Sequence, residues 1–319
     1  MRDPDVLIVG AGPAGLAAAA ELTRRGVGDI LVIDRDDAAG GLPRFCAHPG
    51  FGIGYLAVPR SGPGFAASLL HALEGSGVRL LCGTTMVSLD AGPTVTVTGP
   101  ELGHRVLRPK AVILATGIRE ANRGNRLVPG ERPAVGVLTT GLLQQTVARK
   151  VPFPAGMKEL VVVGTEHVSF SAIWTARHAG LRVRAMVDER AAVASFAPAG
   201  WMARAFGIDI RLSSRVAAIR ARDNRVAAVE IETGGRRETL ACDGVVFTAG
   251  WIPEVAAIAT GPIGIDRTTG GVATDENGRT DLAGVFAAGN MRHPLKASGS
   301  CARQGRSVAA TVASALSSR

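Results

Sequence analysis

The sequence predicts an α/β fold of two three-layer domains, with the second inserted into the first. Its 319 residues suit about two domains of ~150 residues each. An apolar strand, helix and strand pattern opens the chain, and the same pattern returns later, with Gly164 aligned on Gly10. A strand, helix and strand unit that occurs twice is typical of Rossmann-like domains, so we expect two of them.

Hydrophobic periodicity places the elements of each copy. In the first copy we expect a strand at residues 6–9, a helix at 13–25 and a strand at 30–33. In the second copy we expect the same elements at residues 160–163, 168–178 and 183–187. The two copies align without a gap, and Asp34 falls on Asp188. An internal duplication is the simplest explanation.

Each copy is followed by β-rich sequence and then by an apolar strand that ends in small residues. The β-rich stretches are residues 78–97, with a turn near 91–93, and 210–240, with turns near 223–225 and 234–235. The closing strands are AVILATG at residues 111–117 and GVVFTAG at 244–250. We place the crossings just after these strands, giving a discontinuous first domain, 1–118 plus 251–319, and a second domain, 119–250.

Composition excludes several classes of protein. The four cysteines form no CxxC or Cys/His cluster, so we expect no disulfide framework, no metal site and a cytoplasmic location; they are Cys46, Cys82, Cys242 and Cys301. The apolar run at 6–22 contains glycines and follows Asp3 and Asp5, unlike a signal peptide. No other stretch approaches the ~20 apolar residues of a membrane span.

The net charge indicates which kinds of ligand and partner the protein favours. A formal net charge of +9 favours anionic cofactors or acidic protein partners. Aromatic residues make up only 4% of the chain and do not interleave with basic stretches, so we expect no nucleic-acid binding.

The first copy carries a dinucleotide fingerprint. Gly10, Gly12 and Gly15 form GxGxxG between a strand and a helix, and Asp34 ends the next strand. The first glycine allows the tight turn, the second lets backbone N–H groups approach a pyrophosphate, and the third packs helix on strand. Asp34 can accept hydrogen bonds from the adenosine ribose. Although a bare GxGxxG is weak, the strand, helix and spaced acid together predict dinucleotide binding.

The second copy has lost two of these glycines. Glu166 aligns with Gly12 and Ser169 with Gly15. A carboxylate at the second position adds bulk and like-charge repulsion where a pyrophosphate would lie, so NAD(P)H binding is doubtful there. Asp188 would suit a ribose hydroxyl and reject a 2′-phosphate, so any remaining binding would favour NADH or an adenine nucleotide. The alternative is a degenerate NAD(P)-binding-like domain with only a structural role.

These motifs resemble those of flavoproteins with two dinucleotide-binding domains, in the thioredoxin-reductase-like branch of the pyridine nucleotide-disulfide oxidoreductases. The resemblance covers nearly the whole chain and rests on GAGPAG, Asp34, Gly40 with Gly41, ATG at 115–117 and TDENGRTDLAGVFAAGN at 274–290. It implies that the first domain binds FAD. The implied cofactor residues, besides the fingerprint, are Pro13, Ala14, Arg35, Gly41, Val87, Thr116, Gly117, Gly289, Asn290 and Ser300.

Two positions differ from the branch. Asn290 stands where the family has an aspartate beside the ribityl chain, and an amide can still hydrogen-bond a hydroxyl. The redox dithiol of thioredoxin reductase would lie in the segment before the second nucleotide unit, which here reads GVLTTG at 136–141 without a cysteine. We therefore expect no reduction through a dithiol. The helix at 299–316 would direct its N-terminus at the flavin, stabilising the reduced form.

A finer resemblance is to FAD subunits of dye-linked amino-acid dehydrogenases, of the opine oxidase, hydrogen cyanide synthase and hydroxyproline dehydrogenase type. It rests on residues 40–52, the VPRSGPGFAASL stretch, 126–145 and GNMRHP at 289–294. It implies an oligomer with a second flavin subunit and a [2Fe-2S] subunit, and a small amine or amino-acid substrate. Many such subunits carry the iron–sulfur element in a cysteine-rich C-terminal module, which is not found in these 319 residues. Either a separate small subunit supplies this element, or this member departs from the pattern.

Three residues are candidates for catalysis. The resemblance implies that the loop after Gly41 passes along the flavin ring, which puts forward Cys46 and His48 for proton transfer or thiol chemistry. Cys301 lies near the start of the last helix, where a thiol pKa can be lowered. The alternative for all three is packing or loop organisation.

Arginines concentrate in two regions, for which a solvated face is the simplest explanation and docking of an acidic electron carrier the alternative. The first comprises Arg119, Arg123, Arg126 and Arg132, and the second Arg211, Arg215, Arg220, Arg222 and Arg225.

The leading hypothesis is an FAD-dependent oxidoreductase subunit that oxidises an amino acid, imino acid or related amine with partner subunits. One alternative is a stand-alone NADH-dependent reductase of flavin or quinone type. Another is a non-catalytic assembly subunit stabilised by FAD. Rapid bleaching of the flavin by NADH or NADPH would contradict the leading hypothesis.

Overall fold

The computed structural model describes residues 2–292 and 297–318. The chain divides into two compact units: the first comprises Met1–Arg119 with Ile252–Arg319, and the second comprises Glu120–Trp251. Each crossing lies one residue beyond the position expected from the sequence. His293 and Pro294, which belong to the GNMRHP motif, lie outside the described residues.

The first segment of the first unit alternates strands and helices before it runs into antiparallel strands. Its elements are β1 (Val6–Val9), α1 (Pro13–Arg24), β2 (Ile30–Ile33), a 3₁₀ turn (Leu42–Phe45), α2 (Gly62–His71), β3 (Arg79–Leu81), β4 (Thr85–Asp90), β5 (Thr94–Gly99), β6 (Gly103–Leu107), β7 (Ala111–Leu114) and, at the crossing, β8 (Ile118–Glu120).

The second unit begins with an additional strand and helix and then repeats this order. Its elements are β9 (Val137–Thr139), α3 (Thr140–Ala148), β10 (Glu159–Val163), α4 (His167–His178), β11 (Arg182–Val187), α5 (Ala197–Ala205), β12 (Asp209–Arg211), β13 (Ser214–Arg222), β14 (Arg225–Thr233), β15 (Arg236–Ala241) and β16 (Gly244–Phe247). The chain then returns to the first unit through β17 (Trp251–Pro253), a 3₁₀ turn at Ala256–Ile258, β18 (Val285–Ala287), a further 3₁₀ turn at Gly289–Met291 and α6 (Ser298–Ser317).

The first unit has three layers around a parallel sheet of order β18-β7-β1-β2-β3. Alternate residues of β1 face opposite sides of the sheet, as a strand's period of two requires. Ile8 packs with residues of α1 and α6, including Leu16 and Val308, whereas Leu7 packs in a second cluster with residues of β4, β5 and β6. The antiparallel sheet β4-β5-β6 therefore forms the third layer.

The second unit has the same layers around a parallel sheet of order β12-β11-β10-β16-β9. Leu160 and Val162 of β10 pack in one cluster with residues of α3, α4 and α5, and Val161 packs in another with residues of β13 and β14. The predicted fold class, two Rossmann-like three-layer α/β domains, is confirmed.

Some elements differ from the sequence expectation. The helices α2, α3 and α5 were not assigned from the sequence, and β6 extends the antiparallel sheet beyond the predicted stretch. Helix α2 begins with Gly62, Pro63 and Gly64, which as a sequence indicate a turn. It forms because Ser61 accepts a hydrogen bond from the backbone N–H of Gly64 at 3.3 Å, and because Phe65 is fully buried.

Over the described residues, no helix combines the length and the apolarity that crossing a bilayer requires.

Candidate functional site

The fingerprint glycines Gly10 and Gly15 are required by the packing of the protein itself. Gly10 has a φ of +110°, and a Cβ there would lie 2.3 Å from the carbonyl oxygen of Ala115. A Cβ on Gly15 would lie 1.9 Å from the carbonyl oxygen of Gly10. Only glycine fits at these two positions, because the loop after β1 is pressed between β7 and the start of α1.

Gly12 is different, because the protein leaves room beside it. It is the N-cap of α1 with extended backbone, φ −83° and ψ −173°, and no side chain caps the helix. A Cβ there would meet no described atom closer than the Cα of Gly41, at 3.9 Å. Packing within the protein therefore does not require glycine at position 12. A phosphate group bound to the uncapped N–H groups would require it, because a side chain would take up the same space. We call Gly10, Gly12 and Gly15 the first cradle; its residues fit the pyrophosphate of a dinucleotide.

Gly40 and Gly41 lie directly against the first cradle. The backbone N–H of Gly40 donates to the carbonyl oxygen of Ala11 at 2.8 Å. Gly41 has a φ of +61°, and a Cβ there would lie 2.9 Å from the Cα of Gly12. A side chain at Gly41 would therefore push into the first cradle, and the role of Gly41 in cofactor binding stays a prediction.

Asp34 ends β2 beside the same loop. Its carboxylate accepts hydrogen bonds from the backbone N–H of Ala11 at 2.6 Å and from that of Asp36 at 2.8 Å. Burial raises the pKa of Asp34, while these two hydrogen bonds oppose the shift. These hydrogen bonds hold the carboxylate beside the loop that follows β1, and its contact with a ribose stays a prediction. Next to it, the largely exposed Arg35 lies 3.2 Å from Glu254.

The remaining predicted cofactor residues come from three further segments of the first unit. The hydroxyl of Thr116 donates to the carbonyl oxygen of Glu254 at 2.7 Å, and Gly117 has a φ of +76°. Gly289 donates its N–H to Gln304 at 3.1 Å, and a Cβ there would lie 2.9 Å from that of Ala14.

Gly289 is therefore brought to the first turn of α1, where Pro13 and Ala14 lie. The other predicted residues of this set are Asn290 in the 3₁₀ turn, Ser300 in the first turn of α6, and Val87 on β4 with 49% of its surface exposed.

The candidate catalytic residues lie in ordered surroundings. Cys46 is buried at the end of the 3₁₀ turn, and its thiol donates to the carbonyl oxygen of Leu42 at 3.5 Å. Nδ1 of the half-buried His48 lies 3.0 Å from the carbonyl oxygen of Pro49. The rings of His48 and Phe51 have their centroids 5.2 Å apart. Cys301 is buried in the first turn of α6. Their roles in catalysis remain predictions.

The corresponding loop of the second unit is filled by a side chain. Glu166 is the N-cap of α4, with φ −74° and ψ 172°. Its Oε2 accepts from the hydroxyl of Ser169 at 3.3 Å and would lie 2.7 Å from a Cβ on Gly164. We call Gly164, Glu166 and Ser169 the second cradle; the carboxylate occupies the space that is open beside Gly12.

An arginine that the sequence interpretation overlooked holds this carboxylate. Arg190 Nη1 lies 2.7 Å from Oε1 of Glu166 and 3.2 Å from Oδ2 of Asp188. Asp188 is buried, and it also accepts from the hydroxyl of Thr165 at 2.5 Å. The available signal was a basic residue two positions after Asp188, which follows β11.

The first arginine region is not simply a solvated face, and that interpretation was wrong for two of its members. The Arg123 guanidinium donates to the carbonyl oxygens of Val128, Pro129 and Gly130 at 2.9–3.0 Å. Arg126 donates to that of Ala121 at 3.0 Å, and burial lowers its pKa. These hydrogen bonds stabilise the segment that follows the first passage of the chain from the first unit into the second. In the second region, Arg215 and Arg220 pair with glutamates of β14 on the exposed side of the β13–β14 pair, as a solvated face predicts.

Comparison with known proteins gives a consistent result. The sequence profile of the pyridine nucleotide-disulphide oxidoreductases matches residues 4–315. The chain is 27% identical over 304 residues to a thioredoxin reductase of Listeria innocua, covering 90% of this chain and 86% of the relative. It is 28% identical over 299 residues to one of Treponema pallidum, covering 91% and 89%.

Solved structures show the same fold. A thioredoxin reductase of T. acidophilum superposes with a TM-score of 0.82 at 21% identity, covering 99% of both chains. A bacillithiol disulfide reductase of Bacillus cereus superposes with a TM-score of 0.77 at 19% identity, covering 99% of this chain and 100% of the other. The finer resemblance to amino-acid dehydrogenase subunits gains no support from these relatives, and the family's description, which names a pyridine nucleotide, does not support doubt about NAD(P)H.

The profile match spans both units and includes the two cradles and the crossings between them. FAD is the cofactor expected of such proteins, and the open first cradle fits it. The chain is an oxidoreductase of the pyridine nucleotide-disulphide oxidoreductase family, with the two-domain architecture of thioredoxin reductases.

Proposed function

We propose that this protein is an FAD-dependent reductase that takes electrons from NADH and passes them to a small acceptor, such as a flavin or a quinone, without a protein dithiol. One observation carries the proposal: β10, α4 and β11 repeat β1, α1 and β2, and they keep a buried acid, Asp188, at the position of Asp34. Binding FAD alone requires one such unit, so the second suits a second nucleotide.

The surroundings of Asp188 favour NADH over NADPH. Its carboxylate lies at the carboxyl end of β11, where the ribose hydroxyls of a dinucleotide are bound in such folds. A 2′-phosphate would bring a further negative charge against a buried carboxylate whose neighbouring cation, Arg190, is already shared between Asp188 and Glu166, which is unfavourable.

Different residues of the chain have different roles in the proposed reaction. The first cradle would hold the pyrophosphate of FAD on backbone N–H groups, and Asp34 would accept hydrogen bonds from its ribose. When bound, FAD supplies the chemistry by accepting a hydride and returning two electrons. The positive end of α6 stabilises negative charge that develops near it.

The cysteines favour an acceptor that is reduced directly. They stand at positions 46, 82, 242 and 301, with none at 136–141. Burial raises the pKa of Cys242 to about 12, so this thiol stays protonated at neutral pH. A quinone or a free flavin would need no thiol relay.

Anaerobic rapid mixing of the FAD-loaded protein with NADH or NADPH tests the proposal. NADH should bleach the flavin absorbance, and NADPH should be less effective by about tenfold or more, corresponding to ~1.4 kcal/mol. Turnover should follow when a quinone or free flavin is added. A flavin that NADH leaves oxidised would overturn the proposal.

A second candidate is the oxidation of an amine or amino acid together with a second flavin subunit and a [2Fe-2S] subunit. The observation that favours it is the Glu166 carboxylate in the second cradle, where a pyrophosphate would otherwise lie. An amino or imino acid that bleaches the flavin when NADH does not would select this candidate. If no reductant acts and a partner co-purifies, the protein is an assembly subunit.

A further inference from the structure

We propose that Arg190 is the phosphate ligand of the second cradle and that Glu166 is its internal substitute, which a bound nucleotide displaces. This inference rests on the proposed function and names the residues that set its nucleotide affinity. The ligand class is a nucleoside diphosphate without a 2′-phosphate, as in NADH or ADP-ribose.

The position of Glu166 shows what it replaces. Gly12 and Glu166 are both N-caps with extended backbone, so the Glu166 side chain starts from the point where the first cradle is open. Its Oε2 lies against Gly164 and the hydroxyl of Ser169. An anionic group therefore already fills the volume that a phosphate would take.

Glu166 fills the cradle without capping the helix. The Glu166 carboxylate stands at the N-cap but makes no hydrogen bond to the first N–H groups of α4. The carboxylate turns instead to Arg190, with its Oε1 2.7 Å from Nη1. The N–H groups that hold a phosphate in such folds are thus not engaged by the side chain that blocks them.

Arg190 is placed to exchange one anion for another. Its guanidinium contacts both Glu166 and Asp188, and 53% of its side chain is exposed, so it can move with a ligand. Arginine forms two-pronged hydrogen bonds with phosphate as well as with carboxylate. When Glu166 swings outward, Arg190 can keep its contact with Asp188 and take a phosphate oxygen in place of Oε1.

The exchange predicts opposite effects of two substitutions. Glu166→Gln removes the competing charge, so the Kd for ADP-ribose should fall by on the order of tenfold, or ~1.4 kcal/mol. Adding Arg190→Gln should reverse that gain, because the phosphate then loses its ligand. If Arg190 merely neutralised Glu166, the double variant would bind as tightly as Glu166→Gln alone.

Calorimetric titration of ADP-ribose into the FAD-loaded protein measures these constants without any redox step. Arg182→Gln is a matched control, because Arg182 pairs with Glu159 at 3.3 Å at the opposite end of β11 and should leave the Kd unchanged. Unchanged binding in Glu166→Gln, or full affinity in the double variant, would overturn the inference. Flavin bleaching by NADH is read separately, so a failure of the proposed function would show as tightened ADP-ribose binding without bleaching.

Discussion

Gly12 and Glu166 hold the same backbone position in the two nucleotide-binding repeats. Each is the N-cap of the helix that follows the first strand, with φ of −83° and −74° and ψ of −173° and 172°. Neither needs the left-handed conformation that favours glycine, so the difference between them lies in the side chain alone. One repeat leaves the phosphate position open, and the other places a carboxylate there.

Placing a carboxylate at Gly12 should therefore abolish FAD retention. In Gly12→Asp the new charge faces the pyrophosphate, and two like charges 4 Å apart repel by about 4 kcal/mol near a protein surface. That corresponds to a Kd weaker by on the order of a thousandfold. The measurement is the ratio of flavin to protein absorbance after purification, and a yellow Gly12→Asp protein would refute the site assignment.

Two matched variants separate cofactor loss from misfolding. Gly12→Ala adds a Cβ where the nearest described atom is 3.9 Å away, so the protein should fold and lose less FAD than Gly12→Asp. Glu166→Gln should keep its full complement of FAD, because the change lies in the second unit. The apo forms of all three should melt close to the apo wild type.

Reductive titration should show two electrons per FAD. A flavoenzyme with a redox dithiol takes up four, two in the flavin and two in the disulfide, whereas the cysteines of this chain are separated in sequence, and Cys46, Cys242 and Cys301 are buried. The measurement is an anaerobic dithionite titration followed by flavin absorbance. Alkylation of accessible thiols beforehand should leave the end point unchanged, and an end point of four electrons would contradict the absence of a thiol relay.

Glu120 should make stability depend on pH. Its half-buried carboxylate accepts hydrogen bonds from the backbone N–H groups of Gly141 at 2.7 Å and Ala249 at 3.3 Å. Burial raises its pKa above the ordinary 4.5, and these hydrogen bonds oppose the shift. Because the folded state holds the proton more tightly, folding is favoured below this range, and stability is lost as pH rises from about 4.5 through the raised value.

Urea unfolding across this pH range tests the effect. The free energy of unfolding should fall less steeply with rising pH in Glu120→Gln than in the wild type, because Gln does not titrate. Gln also loses one of the two carboxylate acceptors, which lowers stability by a constant amount at every pH. The exposed Glu101→Gln serves as control and should keep the wild-type slope; equal slopes in all three proteins would exclude Glu120 as the source.

Sequence alone predicted the parts of this molecule that repeat. Gly10 with Gly164 and Asp34 with Asp188 fixed the alignment of the two copies, and the alignment placed Glu166 in the second cradle. The partner of Glu166 was not predictable in the same way, because Arg190 lies 24 positions further along and reaches it only once β11 has paired with β10. Arg123 was misread for a similar reason: its partners are backbone carbonyl groups, which a pattern of charges does not reveal.

The contact between α1 and α6 links the first cradle to stability. A Cβ on Gly305 would lie 1.9 Å from the carbonyl oxygen of Ala14, in the first turn of α1. Gly305→Ala must therefore push α6 away from α1, at a cost of about 1–3 kcal/mol, and should also reduce FAD retention because Ala14 adjoins the cradle. Gly200→Ala in α5 is the control: its Cβ would meet Val193 at 3.5 Å, and replacing a helical glycine should stabilise by about 0.5–1 kcal/mol. The urea midpoints of the two apo proteins are compared with that of the apo wild type. If both midpoints shift in the same direction, the close approach of α1 and α6 is not the reason that position 305 requires glycine.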